Sequence, residues 1–149
     1  WITTFLDFFR LPNDFPNYGL ECRNIDAIEE GIKSDLGYER LVPYIQKYEF
    51  ETLLFVSMDG FNLLLDDSGQ LDQIQEIIDS YVNVEDINGG VETAPSKRLS
   101  RIFNYNKVAD TGLVLDELDV ETMRKKCPRF DKWIEKLIGI IQSVANASV

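Results

Sequence analysis

The first nine residues constrain the fold most. Residues 1–9 are apolar, β-branched or aromatic, with a single acid, Asp7. Without polar alternation, such a run reads as a strand buried on both faces, the kind found inside parallel sheets. A second strand is legible at residues 40–47, where Pro43 marks an edge position or a strand start. Two strands do not give the first one neighbours on both sides. The chain also opens without methionine or any lead-in to its strand. Together these features point to one domain over residues 1–149, the C-terminal portion of a larger one whose other strands lie in an N-terminal part. No basic segment followed by a small-residue cleavage site marks a signal peptide.

Composition narrows the chemistry. A length of 149 residues suits one core, and 44% hydrophobic residues is ordinary for a globular domain. No apolar run approaches the roughly 18 residues of a membrane-spanning helix. The chain has no histidine. That excludes Ser-His-Asp and Cys-His catalysis and histidine-ligated zinc. Cys22 and Cys127 are too few for a zinc site or a disulfide framework and read as free thiols in a reducing cytoplasm. Carboxylates, lysines, hydroxyls and bound cations remain.

Helices dominate the rest. Asn24 caps a predicted helix over 25–36, with Ile25, Ile28, Ile32 and Leu36 on one face, Glu29 and Lys33 paired on the wet side, and Gly37 as the stop. Residues 52–56 fit strand or helix equally. Asp59 caps a short helix through Leu65, and Leu71, Ile74, Ile77, Ile78 and Tyr81 mark another over about 70–82. Residues 84–90 read as a loop closed by Gly89 and Gly90. Pro95 sits in the first turn of a further helix. Asp119 caps a short helix ending at Cys127 and Pro128. The last helix, 129–144, buries Phe130, Trp133, Ile134, Leu137 and Ile141, and the tail 145–149 frays. The expected class is α/β, a partly parallel sheet flanked by helices, with a helical C-terminal part.

Charge is segregated. Residues 1–96 hold 5 basic and 19 acidic residues, net −14, whereas residues 97–136 hold 10 basic and 7 acidic, net +3. An acidic body repels nucleic acid, so a nucleic-acid role needs a local basic face, bound cations or a basic partner. The basic face is Lys97, Arg98 and Arg101, followed by Arg124, Lys125, Lys126 and Arg129. The same residues also suit a solvated helix surface.

In open α/β sheets, sites form at the carboxyl ends of strands. Asp7 ends the first strand, and Glu49 and Glu51 follow the second. Continued as a strand, Glu49 and Glu51 share a face; as a helix, they diverge. Converging carboxylates suit a hard cation such as Mg²⁺, which activates water and steadies a leaving oxygen in phosphoryl transfer. The alternative is that Asp7 hydrogen-bonds a neighbouring loop while the glutamates are solvated.

Four ordered strings sharpen this reading. They are Phe5-Leu6-Asp7-Phe8-Phe9-Arg10-Leu11-Pro12 with Asp14-Phe15-Pro16; Gln46-Lys47-Tyr48-Glu49-Phe50-Glu51-Thr52-Leu53-Leu54-Phe55; Glu92-Thr93-Ala94-Pro95-Ser96-Lys97-Arg98-Leu99; and Lys126-Cys127-Pro128-Arg129-Phe130-Asp131-Lys132-Trp133. In this order they resemble a widespread bacterial family known only as domain of unknown function 4276, over about residues 3–138. Its members usually carry an extra N-terminal strand and an acidic turn with no counterpart here. That segment makes the family similar to a divergent Toprim fold, the Mg²⁺-dependent module of topoisomerases, primases and some defence nucleases.

The resemblance implies an ATPase partner and a place in phage defence. It implies that Asp7 and Glu49 are catalytic, that Asp7, Glu49 and Glu51 hold Mg²⁺, and that Lys97, Arg98 and Arg101 bind nucleic acid. Phe9 stands where a Toprim site has its second strand-end acid, and Tyr48 replaces a frequent histidine. The leading Toprim glutamate has no match, so the chain alone is expected to be a poor enzyme. The second expectation is a non-catalytic interaction subunit that docks a partner through its acidic surface.

Overall fold

A computed structural model describes residues 1–19, 24–88 and 90–147. Cys22, Gly89 and the last two residues of the tail lie outside the described residues.

The strand-forming N-terminus pairs in parallel with the second strand. It does so as two short pieces, β1 (Ile2–Thr3) on β3 (Leu41–Val42) and β2 (Leu6–Asp7) on β4 (Ile45–Gln46). Ile2 faces Leu41 and Leu6 faces Ile45, so one register runs through both pairs. The interruption falls beside Pro43, where Tyr44 N leaves the backbone ladder for a side chain. Thr4 bridges the gap through its hydroxyl, which accepts from Tyr44 N (3.0 Å). The ladder continues past Asp7: Phe8 N donates to Gln46 O (3.0 Å) and Phe9 N to Tyr48 O (2.8 Å).

The strand buried on both faces is the second one, not the first. Leu41, Val42, Tyr44, Ile45 and Gln46 are all buried, whereas Ile2 is 57% exposed and Leu6 and Asp7 are half-buried. Side chains alternate across the ribbon. Leu41 and Ile45 meet Leu11, Ile28 and Ile32 on one side. Tyr44 joins the larger helical core on the other. There it stacks on Trp133 (centroids 4.7 Å apart) and meets the edge of Phe130.

Helix α1 (Ile25–Leu36) forms as its capping signals predict. Asn24 accepts from Asp26 N, and Gly37 takes the left-handed conformation at φ 58°. Its apolar stripe is narrower than predicted, because Leu36 is 63% exposed. Glu29 does not pair with Lys33 on the wet side. It turns inward, accepting from Ile45 N (2.7 Å) and facing the Arg129 guanidinium (2.5 Å).

Residues 52–56, ambiguous in sequence, belong to a 3₁₀ helix, Phe50–Val56, whose Leu53, Leu54, Phe55 and Val56 fill the core. Next come α2 (Asp59–Leu64), α3 (Ser68–Asp79) and a buried 3₁₀ turn, Val84–Asp86, within the predicted loop. Helix α4 (Pro95–Ile102) starts with proline in its first turn, as predicted. Helix α5 (Ala109–Asp116) has no clear apolar stripe and only Val114 buried, so periodicity does not reveal it. It packs on α2 at Gly60, where a Cβ would lie 2.5 Å from Val114 O.

Helix α6 (Val120–Lys126) is capped by Asp119, and α7 (Pro128–Ala147) runs through residues 145–147 of the predicted tail. Ile141, predicted buried, is 67% exposed because the outer half of α7 extends beyond the core. Among the described residues, no helix is long and apolar enough to cross a membrane. The architecture is α/β, with short parallel strand pairs and a helical C-terminal part.

Arg129 and Glu85 anchor α7. Both Glu85 oxygens accept from the helix start, at Arg129 N (2.7 Å) and Phe130 N (3.1 Å). The Arg129 guanidinium donates to Ile45 O (3.1 Å) and pairs with Glu29 and Asp26. Breaking a largely buried ion pair on one side leaves the other charge uncompensated. Arg129→Met should therefore lower unfolding stability by roughly 3 kcal/mol. Urea denaturation should show the loss and its partial recovery in the Glu29→Gln, Arg129→Met double variant.

Candidate functional site

The parallel register sets the site. It brings Asp7, the last residue of β2, beside the turn that follows β4. Tyr48 makes that turn with a left-handed backbone, φ 69°, and Arg10 does the same at φ 63°. For side chains of this size that conformation costs about 1–3 kcal/mol each, and such strain concentrates at ligand sites.

Beyond Tyr48, the chain enters the 3₁₀ helix at Phe50, so Glu49 and Glu51 leave in different directions. Asp7 Oδ1 accepts from Phe50 N (2.8 Å) and caps this helix. Glu49 is buried and caps α4: Oε2 accepts from Ser96 N and Oε1 from the Ser96 hydroxyl, both at 3.0 Å. Glu51 is fully buried. The Lys107 ammonium lies 2.8 Å from its Oε1, off the hydrogen-bonding direction, and neither Glu51 oxygen has a hydrogen-bond partner.

Asp7, Phe9, Arg10, Glu49, Ser96, Lys97 and Lys107 line a cavity of about 320 Å³. Asp7 does hydrogen-bond a neighbouring loop, but the two glutamates are buried rather than solvated. Of the predicted residues, Asp7, Glu49 and Lys97 share this cavity, and Glu51 lies behind it, linked through Lys107. Arg98 and Arg101 line a different cavity, between α3 and α4. There Arg98 donates to Thr93 O (2.7 Å) and the Tyr81 hydroxyl (3.0 Å), and Arg101 pairs with Glu92 (2.7 Å).

Arg10 and Lys97 are different. Among the described residues, neither side chain makes a hydrogen bond or ion pair; Arg10 only overlies the Phe9 ring, at 5.3 Å. Arg10 and Ser96 sit inside the quoted strings, which is the only signal that marks them. Lys107 lies in an irregular loop before α5, where no spacing points to it.

Electrostatics join these groups. Burial holds the Asp7 carboxyl above the usual carboxylate range; Lys107 opposes this, Glu51 adds to it, Phe50 N opposes it and Glu49 adds to it. Burial pulls the Lys107 ammonium down, but Glu51, Asp7 and Glu49 outweigh it and leave it raised. Burial also pushes the Cys127 thiol up, as suits a packed rather than reactive sulfur.

The donors are all oxygens, which fits a hard cation. Among the described residues, no three carboxylates gather closely enough to cage a metal by themselves. Mg²⁺ does not need such a cage, since one or two carboxylates with water and phosphate are its usual shell. Asp7 and Glu49 are the two that face the cavity.

The protein is a mixed α/β domain whose strand ends open on a cavity lined by both carboxylates and cations. Over residues 1–138 the chain matches the family model described as "Domain of unknown function (DUF4276)". The chain belongs to that family. Neither the curated proteins nor the solved structures provide a match.

The raised Asp7 value has a stability consequence. The folded protein holds this proton more tightly than the unfolded chain. The group's contribution is therefore fully present below its ordinary value of 3.8 and is lost as pH rises through the folded value. Asp7→Asn keeps the acceptor for Phe50 N and removes the charge. It should be more stable than the natural chain at neutral pH, with the gain vanishing at about pH 3, below both values. Denaturant midpoints at the two pH values provide the check.

Proposed function

We propose that this protein is a cytoplasmic, Toprim-like phosphodiester-processing subunit. In this reading it works on nucleic acid with an ATPase partner in phage defence. One observation carries the reading: two carboxylates, Asp7 and Glu49, and three cations, Lys107 with Arg10 and Lys97, the last two without a partner among the described residues, line one cavity at the carboxyl ends of parallel strands. Carboxylates alone would repel a phosphate and cations alone would only bind it; their combination suits phosphate chemistry assisted by a hard cation. The Toprim likeness and the partner rest on the family resemblance.

Asp7 and Glu49 would hold Mg²⁺, which when bound supplies an activated water and charge stabilisation. Arg10 and Lys97 orient the phosphate. Ser96 fixes the Glu49 carboxylate in the orientation its two hydrogen bonds define. Lys107 balances Glu51 and keeps the acidic cluster from unfolding itself by repulsion. The buried Cys127 thiol agrees with a reducing compartment.

Calorimetric titration of the full chain with Mn²⁺ tests the reading. Binding should be weakened at least tenfold in Asp7→Asn and abolished in the Asp7→Asn, Glu49→Gln double variant, with thermal stability of the single variant preserved. Mn²⁺ binding indifferent to both substitutions would remove the cation site. It would favour the interaction subunit, in which the acidic surface is a docking face.

A further inference from the structure

A second cavity, of about 450 Å³, adjoins the acidic one. Phe9 and Arg10 belong to both linings. Its other walls include Phe8, Tyr18, Tyr48 and Asn88. The volume falls within the roughly 300–1,000 Å³ of small-molecule sites. We propose that this cavity is a nucleobase pocket. It takes one unpaired base, whose phosphate rests on Arg10 at the mouth of the acidic site. The proposal rests on the phosphodiester reading above and names its substrate as single-stranded or locally unpaired nucleic acid.

Four observations support it. The rings are held in place before any ligand arrives. Phe8 and Tyr18 lie stacked at 6.3 Å, and the Phe9 backbone is tied to Tyr48 O at 2.8 Å. Of the three non-glycine residues with a left-handed backbone, Arg10, Asn17 and Tyr48, two line this pocket, Arg10 and Tyr48, so strain there goes into presenting these two side chains. The one amide in the wall is oriented: Asn88 Oδ1 accepts from Gly90 N (2.8 Å), leaving its Nδ2 to donate to a base edge.

The fourth observation is continuity. Arg10 has no ion-pair or hydrogen-bond partner among the described residues and lines both cavities, so a ring in one and a phosphate in the other would be the two ends of a single nucleotide. Stacking on aromatic side chains tolerates any base and requires that base to be out of its duplex.

The test uses the full chain in EDTA, so that no divalent cation contributes. The probe is a single-stranded hexanucleotide carrying one 2-aminopurine, whose fluorescence falls on stacking. The natural protein should quench it. An abasic hexanucleotide and a duplex of the same sequence should bind about five- to hundred-fold more weakly.

Tyr48→Asn removes the ring and places at φ 69° a residue that tolerates that backbone. Its thermal stability should be unchanged or higher while its affinity falls by a similar factor. Tyr18→Leu, at a residue whose own backbone is not left-handed, should lose quenching as well. Tight binding of the abasic strand, or full quenching by both variants, overturns the base pocket.

Mn²⁺ titration of the same samples separates the two readings. Cation binding without quenching removes the pocket alone, and quenching without cation binding removes the acidic site alone.

Discussion

A single parallel hydrogen-bonded register underlies everything the site does. Residues 2–8 run alongside 40–46 in one offset, interrupted only where Tyr44 N turns to the Thr4 hydroxyl, and Phe9 steps one residue further to Tyr48 O. A two-residue strand pair is weak by itself. These pairs persist because α1 covers one side and Tyr44, with Trp133 and Phe130, locks the other. The offset fixes the chemistry too. A slip of one residue would turn Asp7 to the opposite face, away from Phe50 N, and would move the Phe9–Tyr48 contact that frames the second cavity. The functional end of the ribbon is thus decided by packing at its middle.

Charge at that end is only partly balanced. Asp7, Glu49 and Glu51 share one ammonium, Lys107. Backbone dipoles do the rest, with Asp7 on Phe50 N and Glu49 on the start of α4. Elsewhere the protein compensates its buried acids thoroughly. Glu85 receives two helix N–H groups, and Glu29 receives Ile45 N and Arg129. Glu51 is the exception: it is fully buried, ion-paired, and without a hydrogen bond to either oxygen.

The sequence reveals some of this and hides the rest for physical reasons. Capping chemistry is local, so Asn24, Gly37, Pro95 and Asp119 mark true helix ends. Strand-end placement is also legible, because Asp7 and Glu49 follow apolar runs. Direction is harder. Glu29 reads as a wet-side residue by helical spacing, yet Arg129, a hundred residues away, draws it inward. Glu51 depends on whether the chain extends or coils after Tyr48, and a 3₁₀ helix decides it. Arg98 and Arg101 look like Lys97 in sequence and differ from it only in their partners. Tyr81 and Glu92 engage the two arginines, and nothing among the described residues engages the lysine. Helix α5 escapes notice because its packing relies on a close approach at Gly60, which leaves no stripe to count.

The overall charge of −11 gives the two free cations their meaning. Salt screens the acidic body beyond about 8–10 Å, and within that range its net charge holds off a polyanion wherever no cation intervenes. Close up, the field is set by whichever charges lack partners, and among the described residues at this cavity those are Arg10 and Lys97. A long duplex meets the repulsion along its length and gains only one local contact. In the proposed reading a single strand would bend one phosphate onto Arg10 and place its base among Phe8, Phe9, Tyr18 and Tyr48 while the rest stays clear. The same arithmetic leaves room for a partner. A basic surface on a second protein would neutralise the acidic body and extend the strand's path without altering the cavity.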